Sequence, residues 1–210
     1  MDRYINKIRD ILVECMPKYW YKVYLFFECT ESGMSSACYN VKTPSGSIIT
    51  DGDLLFLRTG SRNQGILKKK GDDVRIDWGH FYLAAEKKNS TSAIGDGREL
   101  RKSFLDNKLG ASTTNGYDKL ALVRSLGETQ KADGHLLIGY DDIYSIQYFG
   151  DNLRPYWNRE GNETIVSQFQ KAEKEYKTQM KNSAAFDKKL MEEATAAGGR
   201  KYAELCALAY

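Results

Sequence analysis

The sequence predicts an α+β, multidomain chain: a short N-terminal helix and β-hairpin, then an antiparallel β-sandwich, then α-helical hairpins. Three observations predict it. Apolar residues recur at spacings of three and four near the start, short β-like runs broken by Gly, Asn and Asp recur from Asp51, and helical spacing returns after Trp157. With 210 residues and 41% hydrophobic content, the chain can bury a sizeable core.

Residues 2–16 place Ile5, Ile8, Leu12 and Cys15 on one helical face, with Asp2 as N-cap and Pro17 as a stop. Trp20 to Glu28 alternates as a strand, and the turn signal at Glu31, Ser32 and Gly33 allows a hairpin into a second strand over 36–42. Thr43 to Gly46, TPSG, reads as another turn.

The β-like runs are LLFLRTG (54–60), DVRIDWGHFYLAAE (73–86), STSAIG (90–95), KLALVRSLG (119–127) and HLLIGYDDIYSIQYFG (135–150). Their length and spacing argue for antiparallel pairing in a sandwich. Between them, GRELRKSFLD (97–106) carries Leu100, Phe104 and Leu105 at helical spacing and predicts a short surface helix. Residues 163–181 put Ile165, Phe169, Ala172, Tyr176 and Met180 on one face of a helix, and Ala184 to Ala197 predicts a second. Gly198-Gly199 closes it, and KYAELCALAY (201–210) starts a third, so apolar in its last residues that it reads as a helix whose partners lie beyond the chain. The expected divisions are therefore 1–50, 51–158 and 159–210.

Thirty-one Lys and Arg against 28 Asp and Glu leave a net charge of only +3, spread along the chain, which argues against a nucleic-acid footprint. Cys15, Cys29, Cys38 and Cys206 show no C-x-x-C pair, and His80 and His135 lie far apart, so no metal or other cofactor is expected and the thiols are read as free. The N-terminus lacks the apolar core of a signal peptide and no run is long enough to span a membrane, which predicts a cytoplasmic chain with no membrane partner.

Three stretches are candidates for chemistry. In GDDVRIDW, Asp73, Arg75 and Asp77 share one face of an extended strand, as a salt-bridged ladder or as an acid–base pair. In YDDIYSIQYF, Asp141 and Asp142 are the candidate catalytic carboxylates beside Tyr144, with Asx-turn roles as the competing reading. In NLRPYWNR, Arg154 and Arg159 are placed to clamp a carboxylate and Trp157 to stack on a flat or sugar-like ligand; the competing reading anchors a linker. Tyr144, Arg154 and Trp157 are thus the candidate substrate-binding residues. No nucleophile elbow, phosphate loop, H-E-x-x-H or dinucleotide fingerprint occurs.

The long ordered motifs LRTGSRNQGILKKKGDDVRIDWGHFYLAAE, AIGDG, YDDIYSIQYFGDNLRPYWNREG and FDKKLMEEATAAGGRKYAELCALAY resemble the glutaminase A family from about residue 52 to the end. The resemblance implies a β-sandwich central domain followed by the first helices of an (α/α)6 toroid like that of six-hairpin glycosidases. It also implies hydrolysis of glutamine to glutamate and ammonia, in a funnel that three helices cannot enclose. The chain is then expected to be inactive alone and to need a further helical domain as partner, and full-length relatives are expected to be exported. No catalytic residue of the family maps onto this sequence. IRDILVECMPKYWYKVYLFFECTESG resembles YezG-like immunity proteins over a shorter stretch, which implies a toxin as partner of residues 1–50 and a junction near 45–53. A third expectation is a carbohydrate-binding accessory surface built on Tyr144, Tyr148, Tyr156 and Trp157.

Overall fold

The computed structural model describes residues 21–29, 44–68, 78–109, 120–129 and 134–209. The expected N-terminal helix, the strand over 36–42 and the ladder of Asp73, Arg75 and Asp77 lie outside them. The described chain is of mixed α+β class, with antiparallel sheets followed by a long C-terminal helix. It divides into two units, residues 1–165 and 166–210.

Among its described residues the first unit has nine strands: β1 (Tyr21–Cys29), β2 (Pro44–Asp51), β3 (Leu54–Ser61), β4 (His80–Glu86), β5 (Ser90–Ile94), β6 (Leu120–Thr129), β7 (Leu137–Asp141), β8 (Ile146–Tyr148) and β9 (Asp151–Leu153). They form three antiparallel sheets of orders β1-β6-β5, β2-β3-β4-β7 and β8-β9. In the first sheet Leu126 stands unpaired between Gly127, opposite Val23, and Ser125, opposite Tyr24, a bulge that bends the long β6.

Strand alternation decides which residues make the core. Leu55 and Leu57 of β3 and Phe81, Leu83 and Ala85 of β4 share one face of the four-stranded sheet. They cluster with Ile94 of β5 and Leu122 of β6, so a shared core joins the two larger sheets. Phe81, Leu57, Leu83 and Leu122 are wholly buried, each contributing about 1.5–3 kcal/mol through removal of apolar surface from water.

The expected turn at TPSG is corrected: Pro44, Ser45 and Gly46 are the first residues of β2, opposite Ser61, Gly60 and Thr59. A proline opening an edge strand forfeits no ladder hydrogen bond, so the turn signal misleads there. The turn falls instead at Gly52-Asp53, where Gly52 has φ +55 and the chain reverses between the paired Asp51 and Leu54. Residues 45–53, the expected junction, are thus β2 and its turn into β3.

Helix α1 (Gly97–Leu105) matches the expected surface helix. Asp96 caps it, its Oδ1 accepting from the backbone N–H groups of Arg98 at 2.9 Å and Glu99 at 3.3 Å. Leu100 is buried with Ala93, while Leu105 points to solvent.

In the second unit, the two helices expected over 163–181 and 184–197 are one continuous run. Helix α2 (Ile165–Ala209) passes through Asn182 and Ser183, which lower helix propensity but remove no hydrogen bond. The expected break at the glycine pair does occur: Gly199 leaves helical geometry at φ +79, ψ 176. Gly198 serves differently, because a Cβ there would stand 2.6 Å from the Tyr202 ring. Burial fades along the predicted apolar face, from the buried Phe169 to the exposed Met180. Lys188–Glu192 and Lys189–Glu193 pairs decorate its solvated side, worth a few tenths of a kcal/mol each, about 0.3–0.5. No helix among the described residues is long and apolar enough to cross a membrane.

Candidate functional site

Two adjoining constructions in the first unit bring together most of the sequence-predicted site residues. The first is a clasp around Trp78 and Gly79. Trp78 is buried, and its indole Nε1 donates to the carbonyl oxygens of Asp142 at 2.6 Å and Tyr144 at 3.0 Å. The Tyr140 hydroxyl donates to the Trp78 carbonyl. Gln64 closes the other side, its Oε1 accepting from the Gly79 N–H at 2.5 Å while its Nε2 donates to the carbonyl oxygens of Ser61 at 2.6 Å and Gly79 at 3.3 Å. Gly79 has φ +91, and a Cβ there would collide with the Asp141 carbonyl oxygen, so only glycine fits between β4 and the end of β7.

The clasp fixes a tight path after β7. Asp141 Oδ1 accepts from the Ile143 N–H at 3.0 Å, closing an Asx turn, and the Tyr144 N–H donates to the Asp142 carbonyl at 2.6 Å. Ile143 sits at φ +63, a conformation that β-branched residues rarely adopt and that costs about 1–3 kcal/mol.

The second construction is the β8–β9 hairpin with the 3₁₀ turn Tyr156–Asn158. Its two-residue loop, Phe149-Gly150, has φ +47 and +94, the signature of a type I′ turn with phenylalanine where asparagine is usual. Phe149 is 92% exposed and meets the Tyr148 ring edge-on at 4.5 Å. At the open end of the hairpin the Arg154 guanidinium lies 5.1 Å from the centre of the Tyr144 ring, and that of Arg159 lies 4.3 Å from the centre of Tyr156. Ser145, Ile146, Leu153, Arg154, Pro155, Tyr156 and Arg159 line a shallow cleft of about 380 Å³. That is the lower end of the size range of small-ligand sites, about 300–1,000 Å³.

A family model for a domain of unknown function, DUF5127, matches residues 22–193, which takes in the clasp, the hairpin and most of α2. The chain belongs to the DUF5127 family. No curated protein and no solved structure matches it. The matched range includes residues 45–53 and extends from the sheets into the helix.

Within this DUF5127 chain the expected residues divide. Tyr144 and Arg154 meet, and Arg154 lines the cleft. Trp157 stands in the 3₁₀ turn, half-buried, and is not part of the cleft wall, where its neighbour Tyr156 takes the place expected of it. Asp141 and Asp142 lie in the clasp, engaged through a carboxylate oxygen and a backbone carbonyl respectively. No cluster of three or more potential metal ligands occurs among the described residues.

Sequence reasoning did not single out a third grouping, on the face of the four-stranded sheet opposite its core. Register sets Arg58 of β3 beside Tyr82 of β4, Gly60 beside His80, and His80 beside Asp141 of β7. Burial, then the Arg58 charge, lowers the His80 pKa, while Asp141 opposes them. Tyr82 is pushed up by burial, against a hydrogen bond from Arg58. Gly60 leaves room for the imidazole: a Cβ there would stand 2.7 Å from His80 Cδ2. The available signal was an arginine and a histidine on the same face of two largely apolar neighbouring strands.

Proposed function

We propose that this chain is the supporting β-rich part of a glutaminase A-like amidohydrolase, a β-sandwich that steadies a helical catalytic domain of (α/α)6 type without carrying out glutamine hydrolysis itself. One observation carries the reading. The first acid of the pair that looked most like chemistry is spent on architecture, the Asp141 carboxylate closing the turn at Ile143, while its neighbour Asp142 receives the Trp78 indole on its backbone carbonyl. Support also comes from the common core of the two larger sheets, from a long helix kinked at Gly199, and from a family match that spans both.

The test is a coupled assay for glutamate and ammonia with the purified chain and glutamine. No turnover above the uncatalysed rate is expected. Turnover that disappears in Asp141→Asn would overturn the supporting role and return the carboxylate to catalysis.

A carbohydrate-binding accessory surface is favoured as a second reading by the exposed rings of Tyr148, Phe149 and Tyr156. Silence on a glycan array would remove it. The toxin-neutralising reading rests on residues 1–50, most of which lie outside the described residues, so no geometry favours it.

A further inference from the structure

The cleft beside the hairpin contains one guanidinium that is held in place yet still has its hydrogen-bonding fork to offer. Arg154 lies close both to the Tyr144 ring, 5.1 Å away, and to the backbone of Gly161. Gly161 sits at φ +74, and a Cβ there would stand 3.3 Å from Arg154 Nε. A neighbouring ring and a close side-chain-free backbone restrict the rotamers of Arg154 before any ligand arrives, which lowers the entropy lost on binding. Arg159, which also lines the cleft, is already paired, its Nε 3.3 Å from Glu160 Oε1. Among the described residues Arg154 forms no ion pair.

The rest of the wall is mostly apolar: Ile146, Leu153, Pro155 and the Tyr156 ring. A fixed planar fork above an apolar wall matches a planar anion carried on an apolar body. A compact tetrahedral anion would satisfy the charge and leave the wall uncovered.

We propose that this cleft is a binding site for a carboxylate attached to a short apolar chain, received by Arg154 and seated against Leu153, Ile146 and Tyr156. The proposal goes beyond the supporting role argued above and does not depend on glutaminase chemistry. The carboxylate can belong to a small acid or to the end of a peptide.

The experiment titrates the full chain with hexanoate, hexanamide, inorganic phosphate, and a short leucine-terminated peptide in free and C-terminally amidated forms, read by backbone amide NMR shifts. Saturable shifts confined to residues 144–146 and 153–161 are expected with hexanoate, with hexanamide and phosphate at least about tenfold weaker, because loss of a charge-assisted bidentate pair is worth about that much. Arg154→Ala is expected to lose about tenfold in hexanoate affinity, and Arg154→Lys several-fold, because it keeps the charge and loses the fork. If Arg154→Ala does not fold, the lysine variant carries the comparison. A free peptide that binds tighter than hexanoate, and loses this on amidation, assigns the ligand to chain termini; equal or weaker peptide binding assigns it to small acids. Hexanamide or phosphate binding as tightly as hexanoate, or unchanged hexanoate affinity in Arg154→Ala with an unaltered near-UV spectrum, overturns the proposal.

Discussion

The β3–β4 and β8–β9 pairs use the same antiparallel hydrogen bonding to opposite ends. β3 and β4 place Leu57, Phe81 and Leu83 out of reach of water. In β8–β9, Ile146, Tyr148, Phe149 and Leu153 all stand exposed, in strands of three residues. A two-stranded ribbon of that length does not support itself in water. It is held from outside by the Trp78 indole on the carbonyls of Asp142 and Tyr144, just before β8, and closed at its own base by the Ser145 N–H on the Leu153 carbonyl at 2.9 Å. Stability is thus concentrated in one pair of strands and lent to the other by a few hydrogen bonds. That frees the second to keep aromatic rings and an arginine at the surface.

The largest expected effect sets one phenylalanine of each region against the other. Phe81→Ala removes a wholly buried ring from the shared core and should cost about 3–5 kcal/mol. Phe149→Ala removes a ring that faces water and should change stability by less than about 0.5 kcal/mol. Urea unfolding of both variants checks the pair. Equal losses would mean that Phe149 is covered in solution and would end the contrast.

What was legible in the sequence follows the same division. The runs LLFLRTG and HFYLAAE declare buried strands because alternation and apolar content agree there, and Gly198-Gly199 announces the break in α2 because glycine alone tolerates φ +79. The hairpin region kept its residues visible but hid their arrangement. Trp78 reaches Asp142 and Tyr144 across more than sixty residues, which no local pattern encodes. Phe149-Gly150 adopts a turn whose usual marker is Asn-Gly, so its loop gave a weak signal. Tyr144 and Arg154 were both named, yet only the hairpin between them explains why they meet. His80 was weighed only as a metal ligand, because a lone histidine in a strand says nothing more until register sets it beside Asp141 and Gly60.

That histidine tests how firmly the sheet end beneath the clasp is closed. Its pKa in the folded chain lies below the ordinary value near 6.5, with Arg58, Tyr82 and Asp141 as the titratable neighbours on its face of the sheet. As pH falls through 6.5 the unfolded chain therefore takes up this proton first. Stability is full above that pH, declines below it by at most about 1.4 kcal/mol per pH unit, and levels off once the folded state is protonated too. Denaturant unfolding between pH 7.5 and 5 should show the decline in the wild-type chain and a shallower one in His80→Gln. Parallel profiles would mean that the imidazole is as well solvated folded as unfolded.

A further small effect bears on the exposed pair. Phe149 occupies the first central position of a type I′ turn at φ +47, where asparagine tolerates the left-handed backbone and phenylalanine does not. Because the ring is 92% exposed, its loss sacrifices little burial. Phe149→Asn should therefore raise stability by about 0.5–1 kcal/mol, seen as a small rise in Tm with an unchanged denaturant slope. An increase would show that the native residue is less stable than the turn allows, as expected where an exposed aromatic is kept for contact with another molecule. A decrease would show instead that the ring is held by packing and that the two antiparallel pairs differ less than their exposure suggests.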